Sequence, residues 1–176
     1  GALTTFVPLG DPCELWLLRL ENHGPRPRRL QLFTYLEWLL GAAPDWHREF
    51  HRLFIESRYD ASHHALLANK VLWELPGLPG PHLNRSWPYV AFHSSSRPPA
   101  GYDGDKAAFL GRYGRTAAPR AVREGRSGDT AGRWGDAIAS LHVPLTMAPS
   151  ETVEIVFALG AADDAPAALA LSDKYR

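Results

Sequence analysis

The feature that most constrains the fold is a pair of long apolar segments close to the carboxyl end of the chain. Residues 137–147 read AIASLHVPLTM, and residues 152–160 read TVEIVFALG. Both segments are rich in β-branched and other apolar residues, which is typical of strands. Only Ala148-Pro149-Ser150-Glu151 separates them, and a connection this short predicts an antiparallel hairpin.

Further strand-like segments precede this pair, and clusters of Pro, Gly and polar residues separate them. They are residues 2–8, 13–22, 28–40, the second half of 47–60, 63–75 and 89–96. Residues 28–40 are apolar on both alternating faces, which predicts a strand buried on both sides. A helix is the alternative there, because Leu and Glu are also good helix formers. Many strands, few helices and frequent turns predict an all-β fold, a large antiparallel β-sandwich.

The last residues of the chain predict a short helix. Asp163-Asp164-Ala165-Pro166 places acids at the N-cap region and a Pro in the first turn. A chain of 176 residues suits one domain with a substantial core. We therefore expect a β-sandwich domain over residues 1–162 and a helix within residues 163–176. Residues 94–133 are rich in Gly and Arg and are expected to be loop-like, without a clear helix.

Composition argues against several classes of function. Lys and Arg total 19, and so do Asp and Glu, so the formal net charge is zero. This balance argues against general electrostatic capture of nucleic acid or anionic lipid. The single cysteine, Cys13, builds no disulfide framework. No apolar run approaches the length of a membrane span.

Two short patterns suggest a metal site, and both fail in detail. His47 and His51 are four residues apart and would share a helix face, but Arg48 stands where the zinc-protease pattern needs Glu. Asp103-Gly104-Asp105 resembles the start of a calcium loop, but apolar residues follow at the later ligand positions. We expect no metal at either place.

The segment rich in Gly and Arg gives only weak signals for anion or RNA binding. No Gly-Lys-Ser/Thr follows its glycines, so a phosphate cradle is not indicated. We expect Gly111 and Gly114 to permit positive φ angles around Arg112. Six arginines lie at positions 112, 115, 120, 123, 126 and 133. Few aromatic residues are interleaved with them, and a solvated loop with arginines paired to acids is favoured over RNA binding.

The chain resembles a known family at several of these segments. Residues 103–115, DGDKAAFLGRYGR, followed by Pro119 and residues 138–160, resemble the N-terminal sandwich of inverting glycoside phosphorylases. This group is glycosyltransferase family 36, also called glycoside hydrolase family 94. It includes cellobiose and chitobiose phosphorylases and the C-terminal region of cyclic β-1,2-glucan synthases. Residues 4–41 and 52–70 resemble the family's earlier strands in the same order, and the Phe-Leu-Gly-Arg-x-Gly block is the most specific part.

The resemblance implies a fold and a domain context. In the family this region is a supersandwich resembling galactose mutarotase, followed by a helical linker and an (α/α)6 barrel that carries the general acid and the phosphate pocket. Residues 1–162 would then be part of the sandwich, and residues 163–176 the start of the linker. The chain alone is expected to hold no catalytic residue and no cofactor, while inorganic phosphate is the co-substrate of the parent enzyme if it is a phosphorylase. The implied location is cytoplasmic, or the cytoplasmic region of an inner-membrane glucan synthase.

Three functions follow as hypotheses. The first is a non-catalytic sandwich that braces the barrel of the same polypeptide, shapes the entrance to a site for β-glucan oligosaccharides and supports a homodimer. The second is an independent carbohydrate-binding module that stacks sugars on loop aromatics. The third is an interaction scaffold that self-associates through exposed apolar surface. The candidate carbohydrate-binding residues are Trp46, Trp87, Tyr89, Tyr102, Trp134 and Arg112. Arg112 is expected to pair with Asp103 or Asp105, or to reach a partner domain, a sugar or a phosphate. Phe109 and Leu110 are expected to anchor the loop in the sandwich.

Overall fold

The computed structural model describes residues 1–41, 51–71 and 86–176, without the side chain of Trp134. Within these residues the chain forms strands and three short helices. The strands are β1 (Ala2–Phe6), β2 (Cys13–Glu21), β3 (Arg28–Phe33), β4 (Leu36–Glu37), β5 (Ile55–Asp60), β6 (Ala65–Lys70), β7 (Val90–Ser95), β8 (Gly101–Asp105), β9 (Gly132–Trp134), β10 (Ala137–Met147) and β11 (Thr152–Ala162). The helices are α1 (Lys106–Leu110), α2 (Arg120–Glu124) and α3 (Ala165–Asp173).

The named strands pair antiparallel in two sheets, which confirms the predicted β-sandwich. The larger sheet has the order β1-β2-β11-β7-β6-β5-β9, and the smaller one has the order β3-β10-β4, with β8 also paired to β10. Alternate residues of β10 show how the layers stack. Ala137, Ala139 and Leu141 belong to a core that includes residues of the larger sheet, whereas Ile138 packs with Phe109 and Ala121 of the helices α1 and α2. The smaller sheet is therefore covered on its outer face by α1 and α2.

The helix α3 covers the opposite side of the molecule. Ala168 packs with Phe92, Leu15 and Cys13 of the larger sheet. The side chain of Asp164 accepts a hydrogen bond from the amide of Ala167 at 2.8 Å, which caps the helix as its sequence predicted. The helix is thus observed, while its role as a linker to another domain stays a prediction.

The predicted hairpin of the last two strands is wrong. The strand β10 belongs to the smaller sheet, and β11 belongs to the larger one, so the turn at 148–151 carries the chain from one sheet to the other. The backbone of this turn binds Asn22: the amide of Ser150 donates to the Asn22 carbonyl, and the amide of Asn22 donates to the Glu151 carbonyl. Val143 and Leu145 pack against Val153 and Ile155 across the interior. Burying these side chains between two sheets favours this arrangement over direct pairing.

The predicted single strand over residues 28–40 is also wrong, because it is interrupted at Thr34 and Tyr35. The Thr34 hydroxyl accepts from the amide of Leu141 at 2.9 Å and contacts Nε2 of His93 at 2.8 Å. Nor is the segment buried on both faces, since Arg28, Arg29, Gln31 and Leu39 are exposed.

His93 joins the two sheets in the centre of the sandwich. It lies in β7 of the larger sheet, is fully buried, and has Nδ1 3.2 Å from the Ala158 carbonyl. Because a carbonyl only accepts, Nδ1 carries the hydrogen, and Nε2 accepts from the Thr34 hydroxyl. Burial lowers the pKa of His93 to about 4, so the ring is neutral at pH 7.

Residues 94–133 are more ordered than the sequence indicated. They contain β8, α1, α2 and β9. The Asp105 side chain accepts from the amide of Ala107 at 3.0 Å and caps α1, so a helix does begin within the Asp103–Arg115 segment. Both helices in this region are five residues long, too short to show a helical period in the sequence.

Candidate functional site

A group of exposed arginines lies in the turn after α1 and in α2. We call residues 111–123 the arginine-rich segment. Phe109 holds its beginning, because this ring is buried and stacks on Tyr35 at a centroid distance of 5.2 Å. It also meets Phe33 edge to face at 6.4 Å. The side chain of Leu110 packs on the same cluster, which confirms the predicted anchoring of the loop.

Two glycines shape the turn after α1, for different reasons. Gly111 has a φ of 83°, in the region that favours glycine, as predicted. Gly114 is required by close approach instead, because a Cβ there would overlap the carbonyl oxygen of Leu110. The positive φ in this part of the turn belongs to Tyr113, at 59°. The expectation of a positive φ at Gly114 is therefore wrong.

The arginine-rich segment encloses a shallow, open cavity of about 350 Å³. Its lining includes Arg112, Arg115, Arg120, Arg123 and Tyr113. No acidic residue occurs between positions 106 and 123 of the sequence. Within the described part of the chain, none of these four arginines forms an ion pair. The cavity therefore presents four arginines that no acid of the described residues pairs with.

Arg112 does not pair with either of the predicted aspartates. Its guanidinium donates to the Tyr113 hydroxyl at 3.3 Å and lies 5.1 Å from the centre of that ring. Tyr113 is 91% exposed. Asp103 instead binds Gly128 and Asp105 caps α1, because backbone amides lie within reach of both carboxyl groups. The prediction of an intramolecular Arg112 ion pair is wrong, and the Arg112–Tyr113 pair faces solvent.

A compact ion network fixes the start of α1 to the smaller sheet. The Glu37 carboxylate accepts from Lys106 at 2.9 Å and from the Tyr35 hydroxyl at 2.7 Å, and Arg52 bridges Glu37 and Asp136. The hydrogen bond from Lys106 is the main reason that the pKa of Glu37 is lowered. Burial, followed by the bond to Glu37, raises the pKa of Tyr35. Two cations and two carboxylates balance here, so this network positions α1 and leaves no free charge for a ligand.

The predicted aromatic residues occupy different places. Trp87 is partly buried against the core and meets Tyr89 edge to face at 5.2 Å, and Tyr89 is 42% exposed. Tyr102 is partly buried and stacks on Tyr59 at 4.1 Å. The backbone of Trp134 pairs with Ile55. Trp46 and the side chain of Trp134 lie outside the described residues. Sugar binding by any of these residues stays a prediction.

Sequence reasoning missed the grouping of the four arginines. It treated the arginines of residues 112–133 as a solvated run paired to acids, and that holds for Arg133, which lies 3.3 Å from Glu56. The four arginines at positions 112–123 differ from Arg133 in one visible feature of the sequence: Asp and Glu are absent from residues 106–123. A run of cations without acids has no local partner to neutralise it.

Metal and membrane signals are absent from the described residues. No group of three or more His, Cys, Asp or Glu side chains there could hold a metal ion. His47 lies outside the described residues, so the structure does not test the His47–His51 pair. Among the helices of residues 1–41, 51–71 and 86–176, none has the length and apolar character needed to span a bilayer.

Comparisons with known proteins match this fold to one family. The family model "Glycosyl hydrolase 94, supersandwich domain" matches residues 1–176. The chain is 28% identical over 169 residues to solabiose phosphorylase of Paenibacillus borealis, which covers 96% of this chain and 21% of that protein. It is 27% identical over 157 residues to N,N'-diacetylchitobiose phosphorylase of Vibrio proteolyticus, covering 89% of this chain and 18% of that protein. It is 31% identical over 168 residues to the cyclic beta-(1,2)-glucan synthase NdvB of Rhizobium meliloti (strain 1021), covering 94% of this chain and 5% of that protein.

The chain thus spans about a fifth of the length of these two phosphorylases and a twentieth of the synthase. The match extends over both sheets, the helices α1, α2 and α3, and the arginine-rich segment. This chain belongs to the family of glycosyl hydrolase 94 supersandwich domains.

Proposed function

We propose that this chain is the non-catalytic sandwich domain of a glycan-active enzyme of the phosphorylase or glucan-synthase type. It braces an (α/α)6 catalytic domain of the same polypeptide, and its arginine-rich segment shapes the entrance to the glycan site. Inorganic phosphate is the co-substrate if the parent enzyme is a phosphorylase. The substrate is a β-glucan oligosaccharide, and the parent enzyme acts in the cytoplasm or on the cytoplasmic side of an inner membrane.

The observation that carries this proposal is the arginine-rich segment itself. Its anchor is buried, yet Arg112, Tyr113 and Arg115 are exposed. A Tyr ring stacks on sugar faces, and an arginine fork donates several hydrogen bonds to sugar hydroxyls or to phosphate. A loop that is anchored by a buried residue and exposes an aromatic ring and cations can line a site for a polar, anionic substrate.

Kinetics of the full-length parent enzyme test the role of Arg112. Arg112→Ala is expected to raise KM for the glycan about tenfold, equivalent to 1.4 kcal/mol, with little change in kcat or Tm. Arg97→Ala is the matched control, since this arginine is exposed and lies outside the cavity. A lower Tm with an unchanged KM would show that Arg112 only supports the fold, and would contradict the proposal.

The alternative, an independent carbohydrate-binding module, is favoured by one observation. Tyr89 is exposed and is held edge to face by Trp87, so a sugar bound on Tyr89 would change the surroundings of Trp87. Titration of the 176-residue chain with β-1,2-glucan or cello-oligosaccharides, followed by tryptophan fluorescence, distinguishes the two functions. A saturable change that Tyr89→Ala abolishes supports the module, while a flat response contradicts it.

A further inference from the structure

A buried polar cluster lies beneath the cover formed by α1, α2 and the residues that follow them. Its centre is Asp103 in β8, which is fully buried. One carboxyl oxygen, Oδ1, accepts from the amide of Gly128 at 2.9 Å and from the Thr130 hydroxyl at 3.3 Å. The other, Oδ2, is buried without a hydrogen-bond partner in the described residues. Asp103 therefore binds Gly128 and Thr130 through Oδ1 alone.

Two buried serine hydroxyls lie near Asp103. Ser140 is the cross-strand partner of Asp103 in the β8–β10 pair, so the two side chains lie on the same face of the sheet. The Ser127 hydroxyl is close enough to lower the pKa of Asp103 without meeting hydrogen-bond geometry. Neither serine hydroxyl has a partner in the described residues. A strand, its neighbour and the overlying loop thus each contribute one unused polar oxygen.

The cluster is closely packed against the overlying loop. A Cβ at Gly128 would lie 2.9 Å from Oδ1 of Asp103, and a Cβ at Gly101 would lie 2.9 Å from Cβ of Ser127. The loop comes this close only because both positions are glycine. The carboxyl group consequently has little room for a hydration shell, and ionisation is costly there.

The charged groups around the cluster favour the neutral carboxyl. Burial has the largest effect and raises the pKa of Asp103 to about 6. The hydrogen bonds from Gly128 and Thr130 and the nearby Ser127 hydroxyl act to lower that pKa, and the charge of Asp129, a further acid in the overlying loop, raises it. On β10, burial lowers the pKa of His142, so its ring adds no positive charge at pH 7.

In the described residues, no cation of the two covering helices pairs with Asp103. Lys106 pairs with Glu37 and Asp136, and the Arg120 side chain donates to the carbonyl of Ala108 at 2.9 Å. Asp105, on β8, caps α1. The elements packed against Asp103 thus bring two acids, an imidazole that is neutral at pH 7, and cations that do not pair with Asp103. Arg123 and Arg126 are exposed and form no ion pair in the described residues.

We propose that Asp103 is a proton-dependent latch, in which the protonated carboxyl joins the loop Ser127–Thr130 to the smaller sheet and loss of the proton loosens that loop. In the protonated form the Oδ2–H bond donates to a serine oxygen, while Oδ1 still accepts from Gly128 and Thr130. On ionisation the proton leaves to solvent and its electron pair stays on Oδ2, placing a buried negative charge beside Asp129.

The sign of the pH effect follows from the raised pKa. The folded chain keeps the Asp103 proton up to pH of about 6, whereas the unfolded chain loses it near pH 3.8. The contribution of Asp103 to stability is therefore complete at low pH and is lost as the pH rises from about 4 to about 6. His93 acts in the opposite direction over the same range, because its pKa is lowered. The wild-type pH profile therefore conceals both effects, and only a comparison with a variant separates them.

The experiment compares unfolding equilibria and hydrogen exchange in the wild-type chain and in Asp103→Asn. Asn keeps the shape of the carboxyl group but cannot ionise. Relative to the wild type, its folding equilibrium constant is expected to rise by up to about a hundredfold between pH 4 and pH 7, which corresponds to two pKa units. In the wild type, the protection factor of the Gly128 amide should fall over the same range, and in Asp103→Asn it should stay constant. Asp105→Asn is the matched control, because Asn caps a helix as well as Asp does.

A second measurement keeps the proposal testable if Asp103→Asn folds poorly. The ¹³Cγ resonance of Asp103 in the wild-type chain should titrate with a midpoint near pH 6. A midpoint below pH 4.5 would overturn the latch. So would an identical pH dependence of Gly128 protection in the wild type and in Asp103→Asn.

Discussion

His93 and Asp103 are both fully buried polar residues, yet their surroundings differ. Both ring nitrogens of His93 have partners, Ala158 on one side and Thr34 on the other, and the three residues connect the two sheets. Asp103 uses one oxygen and leaves the other beside unpartnered hydroxyls. A buried polar group with all its bonds made specifies a fold, whereas spare hydrogen-bonding capacity costs stability. His93 is therefore a structural centre. Asp103 is the residue at which we propose a second state, the ionised carboxyl.

The largest expected effect is the loss of the His93 side chain. His93→Ala leaves a cavity and removes one hydrogen-bond partner each from the Thr34 hydroxyl and the Ala158 carbonyl, so we expect a loss of about 3–5 kcal/mol in the free energy of unfolding. Urea denaturation at pH 7 measures it. His23→Ala, at an exposed histidine, is the control and should change stability by no more than about 0.5 kcal/mol. A loss below about 1 kcal/mol would contradict the structural role of His93.

The second effect is the pH dependence that His93 contributes. Its pKa is lowered from 6.5 to about 4, so its contribution to stability is present above pH 6.5 and is lost as the pH falls towards 4. The full loss corresponds to about 3 kcal/mol. The free energy of unfolding is measured for the wild type and for His93→Gln at pH 4 and pH 7. The additional stability that the wild type loses between pH 7 and pH 4, relative to the variant, is the contribution of His93. If both proteins lose stability equally on acidification, His93 does not titrate as described.

The smallest effect compares two buried serine hydroxyls that lack partners. Ser172 lies in α3, where nothing in the described chain gives its hydroxyl a role, so Ser172→Ala should change stability by no more than about 0.5 kcal/mol. Ser140 is the cross-strand partner of Asp103, so Ser140→Ala should cost about 1 kcal/mol at pH 5. Parallel urea denaturation of the two variants at pH 5 tests this difference. Equal costs for the two serines at pH 5 would remove Ser140 from the latch.

Much of the fold could be predicted from local pattern. The strands at 137–147 and 152–160, the C-terminal helix with its Asp164 cap and the anchoring role of Phe109 all follow from residue type and spacing. The family resemblance rested on segments in the right order, and the family match over residues 1–176 confirms it. These features are local, so neighbouring residues carry their signals.

Other features depended on distant residues. The turn at 148–151 looked like a hairpin because its length suits one, but Asn22 holds it at the point where the chain changes sheets. The segment 28–40 looked continuous, but contacts of Thr34 with Leu141 and His93 interrupt it. Arg112 had two aspartates close in sequence and contacts neither of them. In each case a partner more than a hundred residues away, or a competing backbone amide, decided the outcome.

Side-chain alternation and turn chemistry act over a few residues, so the sequence was enough to predict most of the extended segments and the resemblance to a family. The assignment of strands to the two sheets, the grouping of arginines around one cavity and the burial of Asp103 with one oxygen unpartnered are visible only in the folded structure. These features depend on strand pairing and desolvation, which are set by contacts between residues far apart in the chain.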